Sequence, residues 1–246
     1  MDIVKIGWSG GKDSTCATYK HLERGDIVKA VCYIPMFNDN IPLILKAHYE
    51  FIQNQAQKFR ELGADVYIVN GMTYWEYCTH IAKSGKHKGK MFGFPCFKTS
   101  QCGFKRDSKL PALNKLDVGY FDYEDIGIAY DEVKRHGQLT GKKRSILFEE
   151  KISESEARIY CIERNAYSPN YATKKRDGCA LCPNAKERER QEWYRDYPQV
   201  VPLLMELQRI VNKHRPENKP LRGNKWFIPE KCLDGYIPTL FDLIED

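Results

Sequence analysis

Long apolar runs are missing from this sequence. No stretch of its 246 residues approaches the roughly 20 consecutive apolar residues that a membrane-spanning helix requires. The chain opens directly into a strand-like segment, so the basic and then apolar pattern of an export signal is missing too. These absences exclude a membrane-spanning helix, and we expect a cytoplasmic protein with no membrane partner.

Several common functional patterns are missing as well. None of the six histidines stands in HxH or HExxH spacing, so the sequence predicts no histidine-based metal site. Internal repeats and low-complexity tracts are also absent. With 42% apolar and 29% charged residues, the composition is that of an ordinary globular protein.

Strand-like and helix-like segments alternate through the first half of the chain. The sequence predicts buried strands at 3–8, 27–34, 64–69 and 125–130. Helical patterns lie between them, at about 14–23, 41–62 and 73–83. Because this order implies right-handed crossovers between parallel strands, we expect an α/β fold with a doubly wound, mostly parallel sheet.

The pattern changes to helices in the last third of the chain. Ser153 and Glu156 have the spacing of a capping box, which opens a helix. Two further helical patterns follow, at about 184–195 and 200–214. The sequence thus predicts an α/β domain over residues 1–150 and a helical C-terminal region over residues 151–246, packed on the first.

The first predicted strand runs into a glycine-rich turn and then into a helix. The turn consists of Ser9, Gly10, Gly11, Lys12, Asp13, Ser14 and Thr15. Its backbone amides can converge on an anion, and the positive end of the helix points at the same place. Lys12 adds a full charge, and Asp13 can hold Mg²⁺ or cap the helix. Since doubly wound sheets bind ligands at the carboxyl ends of their strands, this turn is predicted to bind phosphate.

The letters SGGKDS resemble the PP-loop of the adenine nucleotide alpha-hydrolase superfamily, and they do not fit the Walker pattern GxxxxGK[ST]. The resemblance implies that the turn binds the pyrophosphate part of ATP and that chemistry occurs at the alpha-phosphate. It also implies a HUP-type sheet, the form that the doubly wound fold takes in that superfamily.

Three later stretches are similar to segments of the phosphoadenylylsulfate reductase-like family of that superfamily. They are QCGFKRDSKLPAL (101–113), DIGIAYDEVKR (125–135) and RDGCALCPNA (176–185). The second similarity implies that Asp131, Glu132 and Arg135 lie at the rim of the active site, with Arg135 binding nucleotide. The candidate catalytic residues are therefore Lys12, Asp13, Asp131 and Glu132.

The chain has nine cysteines, an odd number that cannot pair completely in disulfides within one chain. In a reducing cytosol, clustered cysteines are more often metal ligands or catalytic groups than crosslinks. Cys179 and Cys182 have the spacing that lets two thiolates bind one metal. Cys96 and Cys102 form a looser pair upstream. Four thiolates can hold a [4Fe–4S] cluster or a structural Zn²⁺, and the spacing leaves cluster, zinc and no metal open; the family resemblance favours the cluster.

Basic residues cluster in three places, in a chain with a net charge of +6. The clusters are Lys83, Lys86, Lys88 and Lys90, then Lys142, Lys143 and Arg144, and then Lys174, Lys175 and Arg176. Such runs can bind the phosphates of nucleotides or nucleic acid, and solvated loops are the alternative interpretation. Three of the four lysines of the first cluster lie in a glycine- and lysine-rich stretch, residues 84–98, that is predicted to be a mobile loop.

Three functions fit these features. In the first, ATP and Mg²⁺ bind, an acceptor attacks the alpha-phosphate, pyrophosphate leaves, and the activated acceptor receives sulfur. The resemblance implies a sulfurtransferase of the nucleic-acid thiolation type, with a nucleic-acid substrate and a partner protein that donates sulfur or electrons. The first alternative is a sulfonucleotide reductase that acts on phosphoadenylylsulfate or adenylylsulfate. The second alternative is a nucleotide-binding regulator without catalytic activity.

Three residues bear on the choice between ATP and a sulfonucleotide. Reductases of the family often replace the lysine of the loop, because their ligand lacks the beta- and gamma-phosphates, so Lys12 favours a triphosphate. The family usually has an arginine where this chain has Ala129. The nucleophilic cysteine of the reductases stands in a Glu-Cys-Gly-x-His context, whereas Cys232 lies in PEKCLDG with no histidine after it. We therefore expect the ATP-using enzyme.

Overall fold

The structure is a computed structural model, and it describes residues 1–95, 102–172, 178–221 and 225–228. In chain order the elements are β1 (Ile3–Gly7), α1 (Lys12–Arg24), β2 (Ile27–Tyr33), β3 (Met36–Asn38), β4 (Ile41–Pro42), α2 (Lys46–Glu61), β5 (Asp65–Val69), α3 (Tyr74–Thr79), α4 (Leu110–Lys115), β6 (Tyr123–Asp125), α5 (Val133–His136), β7 (Lys143–Arg144), α6 (Ile146–Glu149), α7 (Glu154–Glu163), α8 (Glu187–Asp196) and α9 (Val200–His214). Among the described residues, none of these helices is long and apolar enough to cross a membrane.

The chain folds into two compact units that alternate along the sequence. The sheet unit consists of Met1–Tyr33, Ala47–Val69 and Lys115–Asp177. The helical unit consists of Ile34–Lys46, Asn70–Asn114 and Gly178–Asp246. The sequence predicts a single boundary between the two regions, at residue 150. In the structure each unit is made of three separate segments, and the backbone passes from one unit to the other several times.

The sheet unit is built on five parallel strands in the order β5-β2-β1-β6-β7, flanked by helices. β1 is the central strand, because it pairs with β2 on one side and with β6 on the other, and its Val4 and Ile6 side chains have no exposed surface. Strand order therefore runs outward from β1 in both directions, which is consistent with the predicted doubly wound α/β class. The ends of β1 and β6 form the switch point of the sheet.

Three predicted elements differ from the observed ones. The helix predicted at 73–83 ends at Thr79, because Ile81 forms an antiparallel bridge with Met91. The strand predicted at 125–130 is wrong beyond Asp125, where β6 ends. Residues 126–130 form a loop in which Ile128 and Ala129 are buried and the Tyr130 side chain is exposed. In this loop Ile128 O accepts a hydrogen bond from Ser145 Oγ and Tyr130 N donates to Ile152 O. The helix predicted from residue 41 begins at Lys46, because residues 41–42 form β4, which pairs with β3.

The helical unit has its own apolar core, to which α3, α8, α9 and the β3–β4 hairpin contribute. The buried Trp193 of α8 donates a hydrogen bond from its indole nitrogen to Pro42 O at 2.9 Å. The helices predicted near 184–195 and at 200–214 are confirmed as α8 and α9. Pro202 does not break α9, because it lies in the first turn, where its missing amide proton has no helical partner.

Candidate functional site

The turn between β1 and α1 depends on a glycine at position 10. Gly10 has a φ of +76°, in the left-handed region that residues with a side chain rarely adopt. A Cβ atom there would lie 2.8 Å from Ile52 Cγ1 and 2.9 Å from His48 Cε1. His48 is buried and held by a hydrogen bond of 2.9 Å between its Nδ1 and Ser168 Oγ. Gly10 therefore lets the turn lie directly on α2.

Hydroxyl groups hold the backbone amides of this turn. The Ser9 amide donates to Ser14 Oγ at 3.2 Å, and the Gly11 amide donates to Ser9 Oγ at 3.3 Å. The Lys12 amide, which begins α1, donates to the Tyr171 hydroxyl at 3.4 Å. These bonds are long, and no side chain caps α1 at Gly11. An anion at this place would therefore offer the same amides a stronger, charge-assisted partner.

The loop after β6 closes the other side of the turn. Gly127 approaches α1 so closely that a Cβ atom there would lie 2.7 Å from Ser14 N. The space between this loop and the turn is a cleft of ≈ 470 Å³, which is the size of a small-molecule site. The cleft thus opens at the switch point between β1 and β6, where doubly wound sheets bind their ligands.

Most of the predicted nucleotide-site residues line this cleft. They are Ser9, Gly11, Lys12, Asp13, Ser14, Glu132 and Arg135. Residues that also line it, and that the sequence did not single out, are Gly7, Ile126, Gly127, Glu154 and Tyr171. The structure therefore brings the glycine turn and the segment after β6 to one place.

Three predicted residues do not line the cleft. Gly10 lies behind the turn, against α2. Thr15 is fully buried, and its Oγ1 accepts a hydrogen bond from the Trp8 indole nitrogen at 3.0 Å. The Asp131 carboxylate accepts a hydrogen bond from the Glu154 amide at 3.0 Å, so it lies at the start of α7. These residues support the site from outside.

Opposite charges meet around Lys12. Its Nζ donates to Asp13 Oδ2 at 3.0 Å and to Glu154 Oε1 at 2.5 Å. Burial lowers the pKa of Lys12, but the hydrogen bond to Glu154 and the charge of Asp13 outweigh burial and leave that pKa raised. Burial raises the pKa of Asp13, and the charges of Glu154 and Glu132 add to this effect against the opposing charge of Lys12. Lys12 thus stays charged, while Asp13 lies among competing carboxylates.

A second ion pair lies at the edge of the cleft. Arg135 Nη1 donates to Glu132 Oε1 at 2.5 Å, and more than half of the arginine side chain is exposed. Two cations and three carboxylates therefore face one cleft, those of Lys12, Arg135, Asp13, Glu132 and Glu154. Such a set can bind an anionic ligand together with a divalent cation that offsets the carboxylates.

Three of the four cysteines predicted to bind metal, Cys102, Cys179 and Cys182, lie in the helical unit. Burial and the neighbouring Cys182 and Cys102 raise the pKa of the Cys179 thiol to about 12. Cys96, like Cys232, lies outside the described residues. Within the ranges that the structure describes, no group of three or more His, Cys, Asp or Glu side chains is close enough together to hold a metal ion. Three of the four predicted ligands therefore influence one another electrostatically without forming a complete ligand set.

Comparison with known proteins does not add to this description of the site. No protein-family model matches the chain. No curated protein matches it at a significant level. The functional interpretation therefore depends on the cleft and its residues.

Proposed function

We propose that this chain is an ATP-using enzyme of the PP-loop type, with a HUP-type sheet, related to the phosphoadenylylsulfate reductase-like family. The observation that carries the proposal is the position of Lys12 and the turn amides. They face a cleft of nucleotide size at the switch point of the sheet. The charge on Lys12 suits a triphosphate, because beta- and gamma-phosphates would lie within its reach.

In the proposed reaction, the turn amides and Lys12 bind the pyrophosphate part of ATP. Lys12 exchanges the Glu154 carboxylate for a phosphate oxygen, and Asp13 and Glu132 would hold Mg²⁺ together with phosphate oxygens. An oxygen of the acceptor forms a bond to the alpha-phosphorus, the bond from that phosphorus to the bridging oxygen breaks, and pyrophosphate leaves. A sulfur atom from a donor protein then displaces AMP from the acceptor. The chain contributes positioning and charge neutralisation.

The cysteines of the helical unit belong to the same proposal. Cys179 is half-buried, and the neighbouring Cys182 and Cys102 help to raise the pKa of its thiol, so a metal that takes up thiolate charge would suit this place. With Cys96 they would hold a [4Fe–4S] cluster or Zn²⁺. A cluster would supply electron-transfer chemistry and zinc would stabilise the fold.

The proposal is tested by calorimetric titration of the anaerobically purified protein with Mg²⁺ and either ATP or 3′-phosphoadenylylsulfate. ATP is expected to bind and the sulfonucleotide is not. The Lys12→Ala variant is expected to bind ATP about ten- to a hundredfold more weakly, because a charge-assisted hydrogen bond to phosphate is lost. The control is Lys20→Ala, on the same helix, which is expected to leave ATP affinity unchanged.

Three results would contradict the proposal. Unaltered ATP affinity in Lys12→Ala would overturn the assignment of the turn. Binding of the sulfonucleotide in place of ATP would make the chain a reductase, and Cys232 would then become a candidate for its nucleophile. ATP binding without pyrophosphate release, with any acceptor offered, would favour a regulator.

A further inference from the structure

The stretch that contains the first lysine cluster folds into a hairpin. Ile81 and Met91 form an antiparallel bridge, and the Phe92 amide donates to His80 O at 2.9 Å. Further along, the Ala82 amide donates to Lys90 O at 2.9 Å. We call residues 81–91 the basic hairpin. Its tip, Gly85–His87, is one turn of 3₁₀ helix.

The basic hairpin presents its lysines to solvent. Lys83, Lys86, Lys88 and Lys90 are all exposed. In the part of the chain that the structure describes, none of the four forms an ion pair. Side chains of like charge that no carboxylate neutralises attract polyanions and bind them in a salt-dependent way.

A cleft of ≈ 680 Å³ lies beside the hairpin, within the helical unit. Lys90 brings to its wall a positive charge that is unpaired among the described residues. Arg106 and Arg215 also line it, but each is paired with a carboxylate, Arg106 with Asp107 at 2.6 Å and Arg215 with Glu217 at 2.9 Å. The half-buried Phe92 and the buried Tyr77 contribute aromatic rings. The guanidinium of Arg215 donates to Phe92 O at 2.8 Å, so the end of α9 holds the base of the hairpin in place. This hydrogen bond ties one wall of the cleft to the end of α9.

From this combination we propose that the basic hairpin and its cleft bind a single-stranded nucleic acid. The lysines would contact successive phosphates, and the cleft would take a base against its aromatic wall, as in other sites for single strands. An acidic protein would satisfy the lysines but would leave the aromatic cleft unfilled, so the observations favour a nucleic acid. The inference rests on the proposed function in one respect, since the bound strand would be the acceptor.

The test is fluorescence anisotropy with a labelled single-stranded oligonucleotide of about 12 nucleotides, at several salt concentrations and without ATP. Lys88→Ala/Lys90→Ala is expected to bind it about tenfold more weakly, with a log–log salt slope about 1.4 smaller. The matched control is Lys142→Ala/Lys143→Ala, which removes two exposed lysines from another basic run and is expected to bind like the wild type. Lys88→Arg/Lys90→Arg keeps the charges and is expected to retain binding.

Several outcomes would overturn the inference. They are no binding by the wild type at low salt, equal weakening by the hairpin and control variants, and hairpin-dependent binding of poly-L-glutamate in place of the oligonucleotide. Titration of the same samples with ATP separates the two proposals. Oligonucleotide binding without ATP binding would refute the proposed function alone. ATP binding without oligonucleotide binding would refute the nucleic-acid site alone.

Discussion

The ammonium group of Lys12 donates a hydrogen bond of 2.5 Å to the carboxylate of Glu154, which stands 142 positions later in the chain. The two residues begin different helices, α1 and α7. Hydrophobic packing between these helices, through Cys16, Ala17, Ala157 and Cys161, fixes the distance between their first turns. A carboxylate is therefore held where the proposed ligand would place a phosphate.

Glu154→Gln is expected to strengthen ATP binding. The carboxylate competes with phosphate for Lys12 and repels the anionic ligand, and about half of its side chain is exposed. An exposed charge of this kind is worth up to about 1 kcal/mol, which corresponds to a two- to fivefold gain in affinity. Calorimetric titration with Mg²⁺ and ATP measures it. Glu163→Gln, at the far end of the same helix, is the control, and equal affinity of Glu154→Gln and the wild type would show that Glu154 does not compete.

Gly10→Ala is expected to lower the free energy of unfolding by more than the strain of a side chain at a positive φ alone would. A side chain at this φ costs about 1–2 kcal/mol, and here the new Cβ would also collide with Ile52 and His48. Gly25→Ala is a close control, because Gly25 has a φ of +81° with no atom within 4 Å of the new Cβ. Urea unfolding of both variants measures the difference. Equal losses of stability would mean that α2 yields to the added methyl group.

The position of the site could be predicted from the sequence, because it depends on local features. A buried strand, a turn with two glycines and a lysine, and a helix follow one another within 22 residues, from Ile3 to Arg24. The segment after β6 was predicted to lie at the same site, and Glu132 and Arg135 do line the cleft. Each of these signals lies in one short stretch of chain.

What could not be predicted depends on tertiary contacts. Glu154 has the sequence signal of a helix start, and nothing near it indicates that it contacts Lys12. Thr15 resembles a phosphate-binding hydroxyl, but the buried Trp8 indole takes up its oxygen. The run at 126–130 resembles a strand because it is mostly apolar, yet Ile128 and Ala129 are buried in a loop. An apolar run in the sequence does not show whether its residues will be buried in a strand or in a loop.

Asp13→Asn is expected to change the pH dependence of stability. The pKa of Asp13 is raised in the folded state, mainly by burial, so the folded chain binds more protons than the unfolded chain between the unfolded pKa and this raised value. The ionised Asp13 therefore destabilises the fold as the pH rises through that window. Asp13→Asn should gain stability relative to the wild type at pH 7 and lose this gain near pH 4, as measured by urea unfolding.

Asp122→Asn provides a control of opposite sign. Asp122 Oδ2 accepts a hydrogen bond from the Ile3 amide at 2.8 Å, which lowers the pKa of this carboxyl group. Its ionised form stabilises the fold above the unfolded pKa, and this contribution is lost as the pH falls through the folded value. Asp122→Asn should therefore be less stable than the wild type at pH 7. If the two variants shifted in the same direction, the assignment of charge around Asp13 would be wrong.

Cys179→Ser is expected to remove metal from the anaerobically purified protein. Cys179 is half-buried near Cys182 and Cys102, and its pKa of about 12 keeps the thiol protonated at neutral pH unless a metal takes the place of the proton. Elemental analysis for iron and zinc, with the visible absorption of a cluster, measures the loss and identifies the metal. Cys161→Ser is the control, because the buried Cys161 donates its thiol hydrogen bond to Lys12 O in the sheet unit. Equal metal content in the two variants would refute the cysteine site, and loss of metal from Cys179→Ser alone would support it.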